Sequence, residues 1–436
     1  MLHTLPPFFW PHRTLLPPSG EAEFQLSSFA PFIQSTDSGA SWFSAGERSC
    51  DLNTPPYRSA CTQNALVPVA AGGGRSFYSI SGNGPFWSGP SAQGPPPWVN
   101  FSSAWRATYT LAGDGTLHTS LSGEPLVFRG IPPGRAVSPA CFTNGLDRSI
   151  FTYAVTELAD GSAIAAVLLC DSPQVKQSWG TNLSAPSLVA FASDPGSSGR
   201  VWSYRGVIAD AREMVPADTV RGLTAEADLA VLADGSLLAV MRVDGDCTCG
   251  MARVGPDQQP ECGIYRDYYQ SRSDTAGRTW TRPAPMAGAG CVRPHLLSFG
   301  RGGMVLSGGR LCVENMTGLF LWLNADGLAG FSTQHPHEEQ QAKEQVWQRF
   351  SISWQHNQHW TGPPAYRFDE RVNASNLFES QAYTGLVRVG PRDFLVLYNK
   401  YWDELYDGMP GCNPSGDGLG CSTAFAMRVS IVGGGE

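Results

Sequence analysis

Short apolar runs recur along this chain, each broken by a tight polar turn and followed by a second apolar run. Thr152 to Leu158 passes through Asp160-Gly161 into Ser162 to Leu169, and Asp228 to Leu232 passes through Asp234-Gly235 into Ser236 to Met241. His295 to Phe299 turns at Gly302-Gly303 into Met304-Val305-Leu306. Thr384 to Val389 turns at Pro391-Arg392-Asp393 into Phe394 to Tyr398, and a weaker copy runs from Thr108 to Leu111 with Asp114-Gly115. Asp-Gly between β-rich runs is a strong hairpin signal, because glycine supplies the positive φ that a tight turn requires. Recurrence of one supersecondary unit at near-regular spacing predicts a repeat architecture built of antiparallel hairpins.

A second unit repeats in step with the first. Its pattern, Ser-x-Asp-x-Gly-x-x-Trp, is intact at Ser35-Thr36-Asp37-Ser38-Gly39-Ala40-Ser41-Trp42. A looser copy with two extra residues runs from Ser193 to Trp202. Another runs from Ser273 to Trp280 with Thr275 in the usual aspartate place, and a faded one covers Asn324 to Phe331. The pattern describes a self-contained turn: a polar side chain caps backbone N–H groups, glycine takes positive φ, and the aromatic packs beneath. This turn resembles the Asp-box (BNR repeat) of sialidases and related propellers, over most of the chain from about residue 30 onward. The resemblance implies an all-β fold, a six-bladed β-propeller of four-stranded antiparallel blades, forming one domain over residues 1–436. Asp-boxes are structural rim turns, so they bear on the fold and not on activity. Radial repetition also leaves few exposed strand edges.

Composition narrows the partners. With 49 Gly, 33 Pro and 16% charged residues, long solvated helices and disordered tails are disfavoured. The net charge of −8, with Lys and Arg thinly spread, argues against nucleic acid, which needs a clustered basic face. Eleven cysteines occur without a CxxC pair or a Cys/His set at zinc spacing, which points to loop disulfides and to no metal site. His335-Pro336-His337-Glu338-Glu339 reads as a solvated loop, and Gly72 to Arg75 as a turn that lacks the features of a phosphate loop. Glycosylation sequons at Asn100, Asn182, Asn315 and Asn373 join the cysteines in favouring an extracellular or secretory-pathway location. The proline-broken start, Met1 to Pro18, does not read as a signal peptide, and no stretch is long enough to cross a membrane. A short polar helix is expected at Glu338 to Gln348, as an insertion between the last two blades.

Three segments resemble the sialidase site. In Thr224 to Arg242, a glutamate opens an inner strand and an arginine closes its hairpin partner, which matches Glu226 and Arg242 to the family's base and to one of its carboxylate-binding arginines. In Met304 to Arg310, ahead of the faded turn, Arg310 matches a second such arginine, with Arg293 of Cys291-Val292-Arg293-Pro294-His295 as its competitor. In Glu379 to Leu386, Tyr383 matches the nucleophile, while Tyr398 reads as a strand tyrosine that packs its ring. The chemistry fits these residue types. Guanidinium groups hold the sugar's carboxylate bidentately. A neutral phenol can approach the anionic substrate where a carboxylate nucleophile would be repelled, and a glutamate within reach can take its proton.

The resemblance therefore implies an exo-sialidase-like glycoside hydrolase without a cofactor, acting on a sialylated glycan or other acidic sugar. The family's first arginine and its acid/base aspartate precede the first Asp-box, and this chain matches neither. No aspartate occurs before Asp37, and Arg13 is a poor stand-in. Phe128-Arg129-Gly130-Ile131-Pro132 looks like the family's Phe-Arg-Ile-Pro segment but falls after the first box. Either the segment that carries these residues is missing from the chain's start, or the site has diverged into a non-catalytic propeller that binds glycan or protein.

Overall fold

The structure is a computed structural model. It describes short stretches at residues 2–4, 14–15, 22–25, 32–35, 43–44, 67–68, 76–81, 105–112, 117–120, 127–130, 132, 174–176 and 182–184. It describes the chain more continuously over 151–169, 187–194, 196–210, 222–244, 267–290, 292–299, 302–309, 318–324, 347–362, 364–368, 384–401 and 422–431. All five expected hairpins are present: Trp105–Leu111 with Leu117–Ser120, Phe151–Glu157 with Ala163–Leu169, Gly222–Val231 with Leu237–Asp244, Val292–Phe299 with Gly303–Gly309, and Gly385–Arg388 with Asp393–Tyr401.

These hairpins belong to antiparallel sheets, most of four strands. The second hairpin continues through Ser187–Ser193 to Val201–Asp210, and Val127–Arg129 adds to the outer edge in parallel. The fourth continues through Leu319–Asn324 to Gln348–Ser351. The last continues to Ser422–Ser430, and the N-terminal strand Leu2–Thr4 completes that terminal sheet. The chain divides into two compact units, one of Met1–Ser44, Gly245–Tyr268 and Pro285–Glu436, the other of Ala45–Asp244 and Tyr269–Ala284.

The two Leu-Ala-Asp-Gly-Ser turns fold alike because their sequences are identical. Ser162 N–H and Oγ–H donate to Asp160 Oδ1 at 2.9 and 2.5 Å, and Ser236 does the same to Asp234 at 3.0 and 2.6 Å. Gly161 and Gly235 take φ +76 and +82. The strands beyond these turns lose the simple apolar–polar alternation. Ser187–Ser193 and Gly303–Gly309 are buried at every position, as expected of strands covered on both faces.

In the second unit, two sheets meet through one of these covered faces. Ala154, Ile164, Ala166, Leu168, Leu188 and Ala190 of one pack with Ala227, Leu229, Leu237, Ala239 and Met241 of the other. The turns that end at Trp280 and Trp202 lie against neighbouring sheets of the same unit. Trp280 Nε1–H donates to Gly277 O at 3.0 Å, and Trp202 Nε1–H donates to Gly199 O at 2.8 Å. The paired φ values also match: +51 and +82 at Ala276 and Gly277, +48 and +74 at Ser198 and Gly199. Gly277 lies against Ile164 of the preceding sheet, and Gly199 against the Tyr78 ring of the sheet before that. Counted back from the tryptophan, Ser197 takes the place of Thr275, so the extra residues of the looser copy lie ahead of the turn and not within it. The boxes at Asp37 and Asp326 lie outside the described residues.

The helix expected at Glu338 to Gln348 is described only at its end, where Trp347 precedes and Gln348 opens the outer strand Gln348–Ser351. Among the described residues, an α-helix runs over Ile352–His359 and a short 3-10 turn over Pro364–Tyr366. The hydroxyl of the α-helix's N-cap, Ser351, accepts from Trp354 N–H at 3.0 Å.

Candidate functional site

Glu226 and Arg242 come together as the sequence suggests. Leu223 faces Val243 and Ala227 faces Met241, so Thr224, Ala225 and Glu226 stand opposite Arg242 alone. The ladder bulges there and re-aims the side chains beside it. Arg242 Nη1–H donates to Glu226 Oε2 at 2.7 Å, with each side chain 13% exposed. A charge-assisted bond between two largely desolvated groups is stronger than a surface pair of the same length. The register also assigns faces. Ala227 and Met241 join the apolar core of the second unit, and the alternation of strand side chains turns Arg242, next to Met241, to the other face.

A related bulge opens the hairpin of Val292–Phe299. Val292 faces Gly309 and His295 faces Ser307, leaving Arg293 and Pro294 opposite Gly308. Arg293 is buried and takes φ +25, a value that non-glycine residues rarely adopt. The signal for this bulge was the proline itself, since a proline inside a strand marks an edge or a bulge. Arg310 directly follows Gly303–Gly309 and lies outside the described residues, as does Tyr383, which directly precedes Thr384. The chain beside both is fixed by a buried hydrogen bond between the hydroxyls of Ser307 and Thr384, 2.7 Å apart. Sequence reasoning did not find that contact, because each hydroxyl stands within a strand pattern of its own.

Two further residues make contacts that hold sheets together. Arg129 pairs with Asp194 and donates from Nε to Ser203 Oγ at 3.2 Å, so it ties the added strand Val127–Arg129 to the outer edge of its sheet. Tyr398 is buried, packs on Phe425 and hydrogen-bonds His356, in line with a packing role. Among the described residues, no group of three His, Cys, Asp or Glu could hold a metal, and no helix is long and apolar enough to cross a membrane.

Comparison with known proteins identifies a shared fold. A protein of unknown function from Dyadobacter fermentans DSM 18053 is similar over 99% of both chains, with 14% identity and a TM-score of 0.53. A Hadza microbial sialidase is similar over 89% of this chain and 62% of its own, with 13% identity and a TM-score of 0.43. A leech intramolecular trans-sialidase is similar over 97% of this chain and 68% of its own, with 11% identity and a TM-score of 0.44. No family model and no curated protein matches the chain.

Proposed function

We propose that this protein is a sialidase-like glycoside hydrolase that removes terminal sialic acid, or a related acidic sugar, from glycoconjugates in an extracytoplasmic setting. In this reading the sheets are the blades of a six-bladed propeller. The observation that carries the reading is the Glu226–Arg242 pair: a carboxylate and a guanidinium, largely desolvated, held at a strand bulge by the segment that resembles the family's. Arg242 and Arg310 hold the substrate carboxylate. The Tyr383 oxygen bonds to the anomeric carbon as the glycosidic C–O bond breaks, and Glu226 accepts the phenolic proton. Water then cleaves the glycosyl–tyrosine bond, and two inversions at the anomeric carbon give retention. Solvent water protonates the departing oxygen and regains that proton when the attacking water cleaves the glycosyl–tyrosine bond, while Glu226 returns its proton to the phenol.

The test is turnover of a fluorogenic sialoside. Tyr383→Phe is expected to abolish it without changing the circular dichroism spectrum, and an unchanged rate removes Tyr383 from the mechanism. A second reading, a non-catalytic Asp-box propeller that binds carbohydrate or protein on one face, is favoured by the missing match to the first arginine and the aspartate. Binding on a glycan array without hydrolysis, by a chain with a verified N-terminus, selects it.

A further inference from the structure

Helix Ile352–His359 is fastened by a side chain that the proposed reaction does not use. His356 is fully buried, with Nδ1 2.9 Å from the Tyr398 hydroxyl and Nε2 3.1 Å from the Tyr366 carbonyl. A carbonyl only accepts, so Nε2 carries the hydrogen and Nδ1 accepts from the phenol. The ring stacks on Trp360, with centroids 5.2 Å apart, and meets Phe368, Tyr398 and Phe425 edge-on at 5.1, 5.8 and 4.6 Å. Tyr398 and Phe425 belong to Asp393–Tyr401 and Ser422–Ser430, so the imidazole joins the helix to the terminal sheet within one unit.

An imidazolium cannot keep this arrangement, because both its nitrogens donate. Tyr398 would have to turn its hydroxyl hydrogen away into an aromatic enclosure. Among the described residues, the other groups to consider supply no counter-charge. Lys400 stands over the Phe368 ring at 5.4 Å and donates to the Arg367 carbonyl. Arg367 and Tyr366 follow the helix, and its own His359 is exposed. On Ser422–Ser430, Arg428 engages Asp393, 3.7 Å away. Burial, above all, pushes His356 down to about 4. The Tyr366 carbonyl works the other way, and Lys400 and Arg367 add to the fall.

We propose that helix Ile352–His359 is an acid-released clasp: protonation of His356 frees the helix from the terminal sheet while that sheet stays folded. The clasp holds above the free imidazole's range and loosens as pH falls through it. Hydrogen exchange of the full chain, corrected for intrinsic rates, tests this. Between pH 7 and pH 4.5, protection of amides 353–360 should fall by roughly 10²-fold, the shift expected of a site titrating near 6.5 when open and near 4 when closed. Amides of 394–398 should keep their protection. His356→Gln, whose amide can both donate and accept, should remove the pH response. The clasp is overturned if helix protection is unchanged at pH 4.5, if helix and sheet lose protection together, or if His356→Gln still responds. Should that variant not fold, the wild-type comparison of helix with sheet decides alone.

Discussion

Glu226 and Arg242 are desolvated to the same degree, so losing one partner differs from losing both. Arg242→Met leaves a carboxylate in a largely dry position and should lower the unfolding free energy by roughly 3 kcal/mol. The double variant Glu226→Gln/Arg242→Met removes both charges and should cost clearly less than the sum of the single changes. Urea denaturation of the four proteins gives the coupling directly. Penalties that add to within about 0.5 kcal/mol would mean that the two side chains do not support each other. The turn aspartates behave differently because they are near the surface. Ser162 holds the Asp160 carboxyl below its usual range through side-chain and backbone hydrogen bonds. Burial raises Asp234, but its bonds from Ser236 and the charge of Arg272 outweigh that and leave it lowered. A lowered carboxylate contributes stability that is present above its unfolded value, near 3.8, and is lost as pH falls through the folded one. Asp160→Asn/Asp234→Asn should therefore flatten the melting temperature below about pH 4, and an unaltered acid slope would refute that assignment.

At the scale of elements, the turns that end at Trp280 and Trp202 lie against neighbouring sheets, and two glycines with the same backbone angle isolate that contact. Gly277 and Gly235 both take φ +82. A Cβ at Gly277 would lie 2.5 Å from Ile164 Cδ1, whereas a Cβ at Gly235 meets nothing within 4 Å. Gly235→Ala should cost only backbone strain, about 1 kcal/mol, while Gly277→Ala adds the displacement of the buried Ile164 side chain and should cost roughly 2–4 kcal/mol. Equal losses in chemical denaturation would show that the turn does not bear on Ile164. The hairpins were legible because Asp-Gly and Gly-Gly act through their own backbone, whatever surrounds them. Glu226 and Arg242 were legible as a pair because a hairpin fixes partners by counting from its tip. The bulge that leaves Arg242 facing three residues is not written in any local pattern, and neither is the burial of His356. Its helix, Ile-Ser-Trp-Gln-His-Asn-Gln-His, shows no apolar stripe and is held by aromatic residues from distant strands. In the looser copy that ends at Trp202, Ser193-Asp194 imitates the motif's opening, while the turn is set by the glycine three residues before the indole.

On the scale of the whole molecule, the pairing of the two ends of the chain matters most. Leu2, His3 and Thr4 pair with Met427, Ala426 and Phe425, so the first strand completes a sheet whose other strands lie at the opposite end of the sequence. The chain between them is thereby closed into a loop. Loop-closure entropy rises only slowly with length, so a few backbone hydrogen bonds can hold such a closure once the remaining sheet is formed. They also cover the edge of Ser422–Ser430, which would otherwise present unpaired N–H and C=O groups to another chain. A chain that begins at Leu5 should melt several degrees lower, lose exchange protection at residues 425–427 first, and associate at concentrations where the full chain is monodisperse. Sedimentation velocity and hydrogen exchange separate these effects. If amides 425–427 stay protected and the melting temperature is unmoved, the strand is an accessory to a sheet that is stable without it, and that sheet rests on side-chain packing such as that of Phe425 against Tyr398 and His356.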